Sequence, residues 1–200
     1  MSNYRRSVIP GGTWFFTVNL QNRQSDLLIR HIERLRAATI FTKRKKPFLI
    51  QAWVILPEHM HCIWTLPEGD SDYSGRWRDI KKTFSRDLAI RQVWQPRFWE
   101  HAIRNEDDYR RHVDYVYINP VKHGYVKNVI DWPYSTFHRD VRAGLYPPDW
   151  AGNVADLTPA SVDKTPGGGW RLTRPTDPVI YPTSSLNHQP PPGETDGAEG

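Results

Sequence analysis

Four short stretches of the chain have strand character, one of them with side chains alternating between two faces. In three longer stretches the apolar positions recur at helical spacing. Gly11-Gly12 leads into Thr13 to Leu20, rich in aromatic and β-branched residues, which predicts a first strand. Ser25-Asp26 can cap a helix running to about Thr42, with Leu28, Ile32, Leu35 and Ala38 on one stripe. Lys43-Arg-Lys-Lys46 closes it and suits the negative end of the helix dipole. Phe48 to Leu56 predicts a second strand, Pro57-Glu58 a turn, and His59 to Leu66 a third strand paired antiparallel to the second. Ser74 to about Arg91 predicts a helix with Trp77, Ile80, Phe84 and Leu88 inward, and Trp94 to His101 a fourth strand. Pro96 places that last strand at an edge or a bulge.

The order is therefore βαββαβ, an α+β fold with a ferredoxin-like antiparallel sheet. A further helix follows. Asn105-Glu-Asp-Asp108 is a strong helix start, and Pro120 is expected to stop the helix at Asn119. Tyr109, Val113, Val116 and Tyr117 form its core stripe. Tyr115 falls on the opposite side with Arg111 and Asn119, so it is offered to something other than that core. A turn at Asp131-Trp-Pro133 and a short helix over 134–142 complete a domain of residues 1–150. Residues 151–200 hold eight Pro, seven Gly and only two aromatics, Trp170 and Tyr181. Such a segment buries too little apolar surface to offset ordering entropy, which predicts a disordered tail.

The stretch from Ile55 to Leu66 carries the candidate chemistry. Read as one extended strand, it puts Leu56, Met60, Cys62, Trp64 and Leu66 on one face, with Ile55, His59, His61, Ile63 and Thr65 on the other. Two imidazoles two residues apart point the same way, close enough to share a cation. A tyrosine on a helix, poised over such a pair, suggests phosphodiester transesterification: the Tyr115 hydroxyl attacks phosphorus while the ion polarises the phosphate. Asn119, one turn beyond Tyr115, can supply a third, oxygen ligand. Two nitrogens and one oxygen suit Mn²⁺, Co²⁺ or Zn²⁺ better than Mg²⁺, although Mg²⁺ can serve once phosphate adds oxygens.

Charge and composition narrow the partners. Of 27 Lys+Arg and 22 Asp+Glu, residues 151–200 hold three basic and six acidic, so the first 150 residues are clearly cationic. A basic body favours a polyanion. Nine Trp and nine Tyr supply aromatic faces on which unstacked bases can lie. A single cysteine, Cys62, excludes an internal disulfide and a multi-cysteine zinc site. No apolar run is long enough for a membrane span, so a cytoplasmic protein without a membrane partner is expected.

Several stretches together resemble one family: Asn3-Tyr-Arg-Arg6 with Pro10-Gly-Gly12, Leu56-Pro-Glu-His-Met-His-Cys-Ile-Trp64, Arg97-Phe-Trp-Glu-His101, Asp107-Asp-Tyr-Arg-Arg-His-Val113, Tyr115-Val-Tyr-Ile-Asn-Pro-Val-Lys-His-Gly124 and Asp131-Trp-Pro133. From Met1 to about Trp150 the chain resembles the REP-associated tyrosine transposases, within the HUH superfamily of single-strand DNA endonucleases and single-tyrosine transposases. The resemblance implies that His59 and His61 are the metal pair and Tyr115 the nucleophile. Asn119 takes the place where related insertion-sequence transposases carry a glutamine ligand. It further implies Mg²⁺ or Mn²⁺ as cofactor and, as partner, single-stranded hairpin DNA from palindromic repeats, cut through a covalent 5′-phosphotyrosine.

Arg5, Arg6, Lys81, Lys82, Arg86, Arg104 and Arg111 are then candidates to track backbone phosphates, and Trp77, Trp99 or His101 to stack on an extruded base. A monomer is favoured. Two competing readings are a catalytically silent DNA-binding regulator of the same repeats and an RNA-binding ferredoxin-like module. The second lacks the paired aromatic signatures such a module uses.

Overall fold

A computed structural model describes residues 8–86 and 88–152; Arg5, Arg6 and the tail from residue 153 lie outside the described residues. Four strands, β1 (Thr13–Asn19), β2 (Leu49–Ile55), β3 (His59–Thr65) and β4 (Trp99–Ala102), form one sheet in the order β2-β3-β1-β4. All three pairings are antiparallel. β3 thus lies between β1 and β2, splitting the crossover as the βαββαβ order predicts.

Helices cover both faces. α2 (Ile32–Lys45) and α3 (Tyr73–Ser85) pack on one, over a core that includes Trp14, Phe16, Trp64, Trp77 and Phe84. α4 (Glu106–Lys122) and α5 (Phe137–Arg142) pack on the other, over Phe15, Val54, Ile63, Val116 and Phe137. β3 is therefore buried on both sides, which removes any solvated sheet face.

Local chemistry moves several expected boundaries. The first helix is broken at His31 (φ −116°, ψ 36°), leaving a single turn, α1 (Leu27–Arg30), ahead of α2. The Asp26 side chain does not cap it, and Lys43 to Lys45 form the last turn of α2 rather than following it. α3 starts under a cap in which the Gly75 amide donates to Asp72 Oδ1 at 2.7 Å. A side chain at Gly75 would collide with that carboxylate. α3 ends at Ser85, not near Arg91, because Arg86 turns to extended backbone (φ −56°, ψ 134°). β4 is four residues long; Trp94 makes only an isolated bridge to Leu20, since Pro96 interrupts the ladder.

The hairpin also resets the strand's parity. Pairing sets Ile55 opposite Met60, and the Leu56 amide donates to the His59 carbonyl at 2.8 Å. Leu56 therefore joins the face of His59, and Ile55 that of Met60, the reverse of the reading as one unbroken strand. A two-residue turn makes opposite residues, not alternate ones, share a face.

α4 runs past its expected stop. Asn105, in extended conformation, accepts from the Asp108 amide at 2.9 Å and opens the helix. Pro120 lies inside the last turn and costs one backbone hydrogen bond, while its fixed φ remains helical. The helix closes only at Lys122, followed by His123 and by Gly124 at φ +73°, a left-handed position that favours glycine.

The exposed edge of β2 is covered by the segment after α4. The Ile55 amide donates to the Tyr134 carbonyl at 2.9 Å, Thr136 donates to the Trp53 carbonyl at 2.8 Å, and Arg139 Nη1 reaches the Ile50 carbonyl at 2.9 Å. Trp132 Nε1 donates to the Ile55 carbonyl at 3.0 Å, which gives the Asp131-Trp-Pro133 motif a structural role. Among the described residues no helix is long and apolar enough to cross a membrane.

Candidate active site on the α4 face of the sheet

His59 and His61 hang from the central strand toward α4, 3% and 4% exposed. Their ring centroids are 4.9 Å apart and nearly perpendicular. Each has its Nδ1 engaged. His59 Nδ1 lies 2.7 Å from Glu58 Oε1, and His61 Nδ1 lies 2.8 Å from Thr17 Oγ1, across the β1–β3 pairing. Donation from Nδ1–H in both leaves each Nε2 lone pair unused, the form a metal requires. Burial keeps the rings neutral. It lowers His59 to about 4 against the opposing pull of Glu58. It drives His61 well below the usual imidazole range, with repulsion from His59, His123 and Lys122 adding to it.

Tyr115 reaches this pair from α4. Its ring stands edge-on to His61, centroids 5.1 Å apart, and edge-on to Phe15 at 5.9 Å. Phe15 itself stacks on His61 at 5.6 Å, so one ring braces both. Tyr115 is half-buried and packs against the same cluster as Val113, Val116 and Tyr117, not on the side opposite that stripe as the helical spacing predicts. Burial raises its phenol above the ordinary range, while the Asn119 amide pulls the other way. A phenol so placed stays protonated at neutral pH, and attack on phosphorus has to include loss of that proton.

Asn119 is wholly buried, although the helical spacing places it opposite the core stripe. Its Nδ2 donates to the Tyr115 carbonyl at 2.7 Å, which leaves Oδ1 buried with no hydrogen-bond partner. Such an acceptor costs free energy unless something pairs with it. Two adjacent neutral imidazoles, each with Nε2 left over, are donors that suit a divalent cation, and Asn119 Oδ1 on the neighbouring helix is a buried acceptor without a partner.

Sequence reasoning missed the surrounding shell. Glu58 also accepts from Tyr125 Oη at 3.3 Å and faces Arg23 at 3.5 Å, so one buried carboxylate ties His59 to the segment beyond α4. His123 brings a third ring 5.2 Å from His59, and Lys122 Nζ lies 5.0 Å over the Tyr115 ring. The alternation of β1 could have found Thr17. His123 and Lys122 were hidden by placing the helix end at Asn119.

A second cluster lies nearby. His101, Asp108 and His112 bring ligand atoms within 4.8 Å of one another and could hold a metal ion. Asp108, however, is already surrounded by donors. It accepts from His101 Nε2 at 2.9 Å and, from Arg104, both the amide at 3.0 Å and Nε at 3.2 Å, with His112 Nδ1 3.2 Å from its other oxygen. The His101 and His112 hydrogen bonds outweigh burial and hold its carboxyl far below the usual range. A cation here would have to displace a guanidinium, so the cluster reads first as an anchor for the start of α4.

The phosphate candidates divide between two layers. Arg104 and Arg111 flank Asp108 on the α4 side, their side chains 48% and 50% exposed. Lys82 and Arg86 are exposed on the α3 layer, across the sheet from Tyr115. Lys81 is turned inward, donating to the Gln95 carbonyl at 3.2 Å and lying over the Trp94 and Phe98 rings. Trp77 is fully buried, stacked on Trp64 at 4.2 Å, and cannot receive a base. Trp99 and His101 are half-buried on the site's own face, their rings parallel within 4°. His101 also stacks on His112, 4.6 Å away.

A split βαββαβ sheet with paired histidines on its central strand and a tyrosine presented by an added helix defines a class of protein. No family model matches the chain. It is, however, 68% identical over 158 residues to the REP-associated tyrosine transposase of Escherichia coli K12, covering 79% of this chain and 96% of that protein. A Haemophilus influenzae protein named for the same family is 47% identical over 167 residues, covering 76% and 95%. A solved structure, a REP-associated tyrosine transposase bound to a REP hairpin, superposes with TM-score 0.75 at 62% identity, covering 86% of this chain and all of that one. The chain belongs to the REP-associated tyrosine transposase family.

Proposed function

We propose that this protein is a metal-dependent single-strand DNA endonuclease and transposase acting on hairpin-forming palindromic repeats through a covalent 5′-phosphotyrosine. The observation that carries the reading is the Tyr115 ring set 5.1 Å from His61. His59 and His61, with Asn119 Oδ1, would hold Mn²⁺ or Mg²⁺. The ion would supply charge neutralisation at the scissile phosphate.

The chain's own residues do the rest. Tyr115 Oη bonds to phosphorus as the P–O3′ bond breaks; the phenol releases one proton and the 3′-oxygen takes one up. The phosphotyrosine keeps the ester's bond energy, so a second 3′-OH can reclaim the strand without ATP. Thr17 and Glu58 hold the two imidazoles in register, and Phe15 keeps the nucleophile against them. Arg104 and Arg111 would contact the DNA backbone beside the cut, and Trp99 would bracket an unpaired base. The hairpin recorded with the solved relative supports the same substrate class here. One domain over residues 1–150, acting as a monomer on the nucleoid with the tail appended, fits this reading.

The test is a labelled hairpin oligonucleotide with a single-stranded flank, incubated with Mn²⁺. A denaturant-resistant protein–DNA adduct is expected from the wild type and none from Tyr115→Phe, which should still bind the hairpin. Binding by the wild type without any adduct would favour the silent regulator instead.

A further inference from the structure

Lys122 follows Tyr115 by seven residues, two helical turns, and so returns to the same side of α4. It exists on that face only because the helix continues through Pro120. Its Nζ lies 5.0 Å from the Tyr115 ring centroid. Among the described residues no carboxylate pairs with it, whereas Arg104 and Arg111 both lean on Asp108 and Lys46 on Asp72 and Asp79. An ammonium over a tyrosine ring gains only a modest cation–π attraction, and a phosphate oxygen is a far stronger partner. With Tyr115 Oη at attack distance, about 3 to 3.5 Å from phosphorus, a rotamer change carries Nζ from the ring to that phosphate.

We propose that Lys122 is a catalytic residue that binds a non-bridging oxygen of the scissile phosphate and offsets the charge gathering there as Tyr115 attacks. The proposal rests on the reading of Tyr115 as nucleophile. Lys122 transfers no proton: the Oη–P bond forms, P–O3′ breaks, the phenolic proton goes to solvent and the 3′-oxygen takes one from solvent. A compact ammonium suits this task, since it follows the oxygen as the phosphorus centre changes shape. The competing role is structural, a cation favoured at the C-terminal end of a helix.

The experiment compares single-turnover adduct formation at saturating hairpin DNA and Mn²⁺ in the full-length protein. Lys122→Met and Lys122→Cys should each slow the adduct by about 10² to 10³-fold, with hairpin affinity and melting temperature close to wild type. Cys62, the chain's other thiol, is fully buried, so a cysteine at 122 can be modified selectively. Aminoethylation of Lys122→Cys, which rebuilds a cationic side chain, should recover most of the rate; neutral carbamidomethylation should not. Wild-type rates in Lys122→Met, or equal recovery with both reagents, would overturn the proposal. An adduct persisting in Tyr115→Phe would instead remove the reading beneath it.

Discussion

Thr17 and His61 face each other across β1 and β3, hydroxyl oxygen to Nδ1 at 2.8 Å. The contact fixes which ring nitrogen is free. Thr17→Val removes it at nearly constant volume and should weaken Mn²⁺ binding by about 10 to 100-fold, with about 1 kcal/mol lost from stability. Titration calorimetry on the folded variant measures the first quantity. An unchanged affinity would reduce Thr17 to a packing residue.

The depressed histidines predict how metal binding answers to acid. With His59 lowered to about 4 and His61 also well below its usual range, neither gains a proton between pH 7.5 and 5.5 in the native state. Mn²⁺ affinity should stay nearly flat over that interval and fall as pH approaches 4. Stability moves earlier. The unfolded chain's histidines protonate near ~6.5, so below that pH the unfolded state binds more protons. The metal-free fold should lose about 1.4 kcal/mol per pH unit for each histidine. Urea melts at pH 7.5, 5.5 and 4.5 would show the slope, and a flat series would contradict it.

Asp108 also loses stability on acidification, but in a lower window and because its charged form is the one the fold favours. Its carboxyl is depressed, so its stabilisation is complete above the unfolded value of ~3.9 and is lost as pH falls toward the native one. Asp108→Asn should cost about 2 to 3 kcal/mol at pH 7, and the gap should narrow below pH 4. The same cluster can be tested for metal. In His59→Ala/His61→Ala, Mn²⁺ binding should disappear, and residual stoichiometric binding would mean that His101, Asp108 and His112 hold an ion.

Two tryptophans once equivalent as base platforms should separate cleanly. Trp77→Ala opens a cavity beneath Trp64 and should cost about 3 to 5 kcal/mol. Trp99→Ala, at a half-buried position, should cost about 1 to 2 kcal/mol while weakening hairpin binding several-fold. Denaturant titration and fluorescence anisotropy together read both effects. Equal stability losses would place Trp99 in the core as well.

The sheet and the paired histidines were legible because a local period carried them. Period two set His59 beside His61, and strand pairing kept them there. The helical period placed Tyr115 and Asn119 opposite the core stripe, and packing overrode it: α4 buries a wider arc, so both lie on its sheet side. What failed depended on partners remote in sequence. Nothing near Trp77 announces that Trp64 will stack on it, nor does anything near Lys81 announce the Gln95 carbonyl. The hairpin at Pro57-Glu58 defeated simple alternation because pairing, not sequence distance, decides which side a residue takes. Pro120 misled by rank: it is the poorest helix former in an interior, yet in a last turn it forfeits a single bond.

The two imidazoles are rooted in a strand that is hydrogen-bonded along both edges and covered on both faces. Amide deuteration along 59–65 should therefore require opening of the whole domain. The phenol is carried by a helix with no such ladder behind it. Any breathing that admits a DNA strand then falls to the helix side, carrying Tyr115 and Asn119 together while the two imidazoles stay in place.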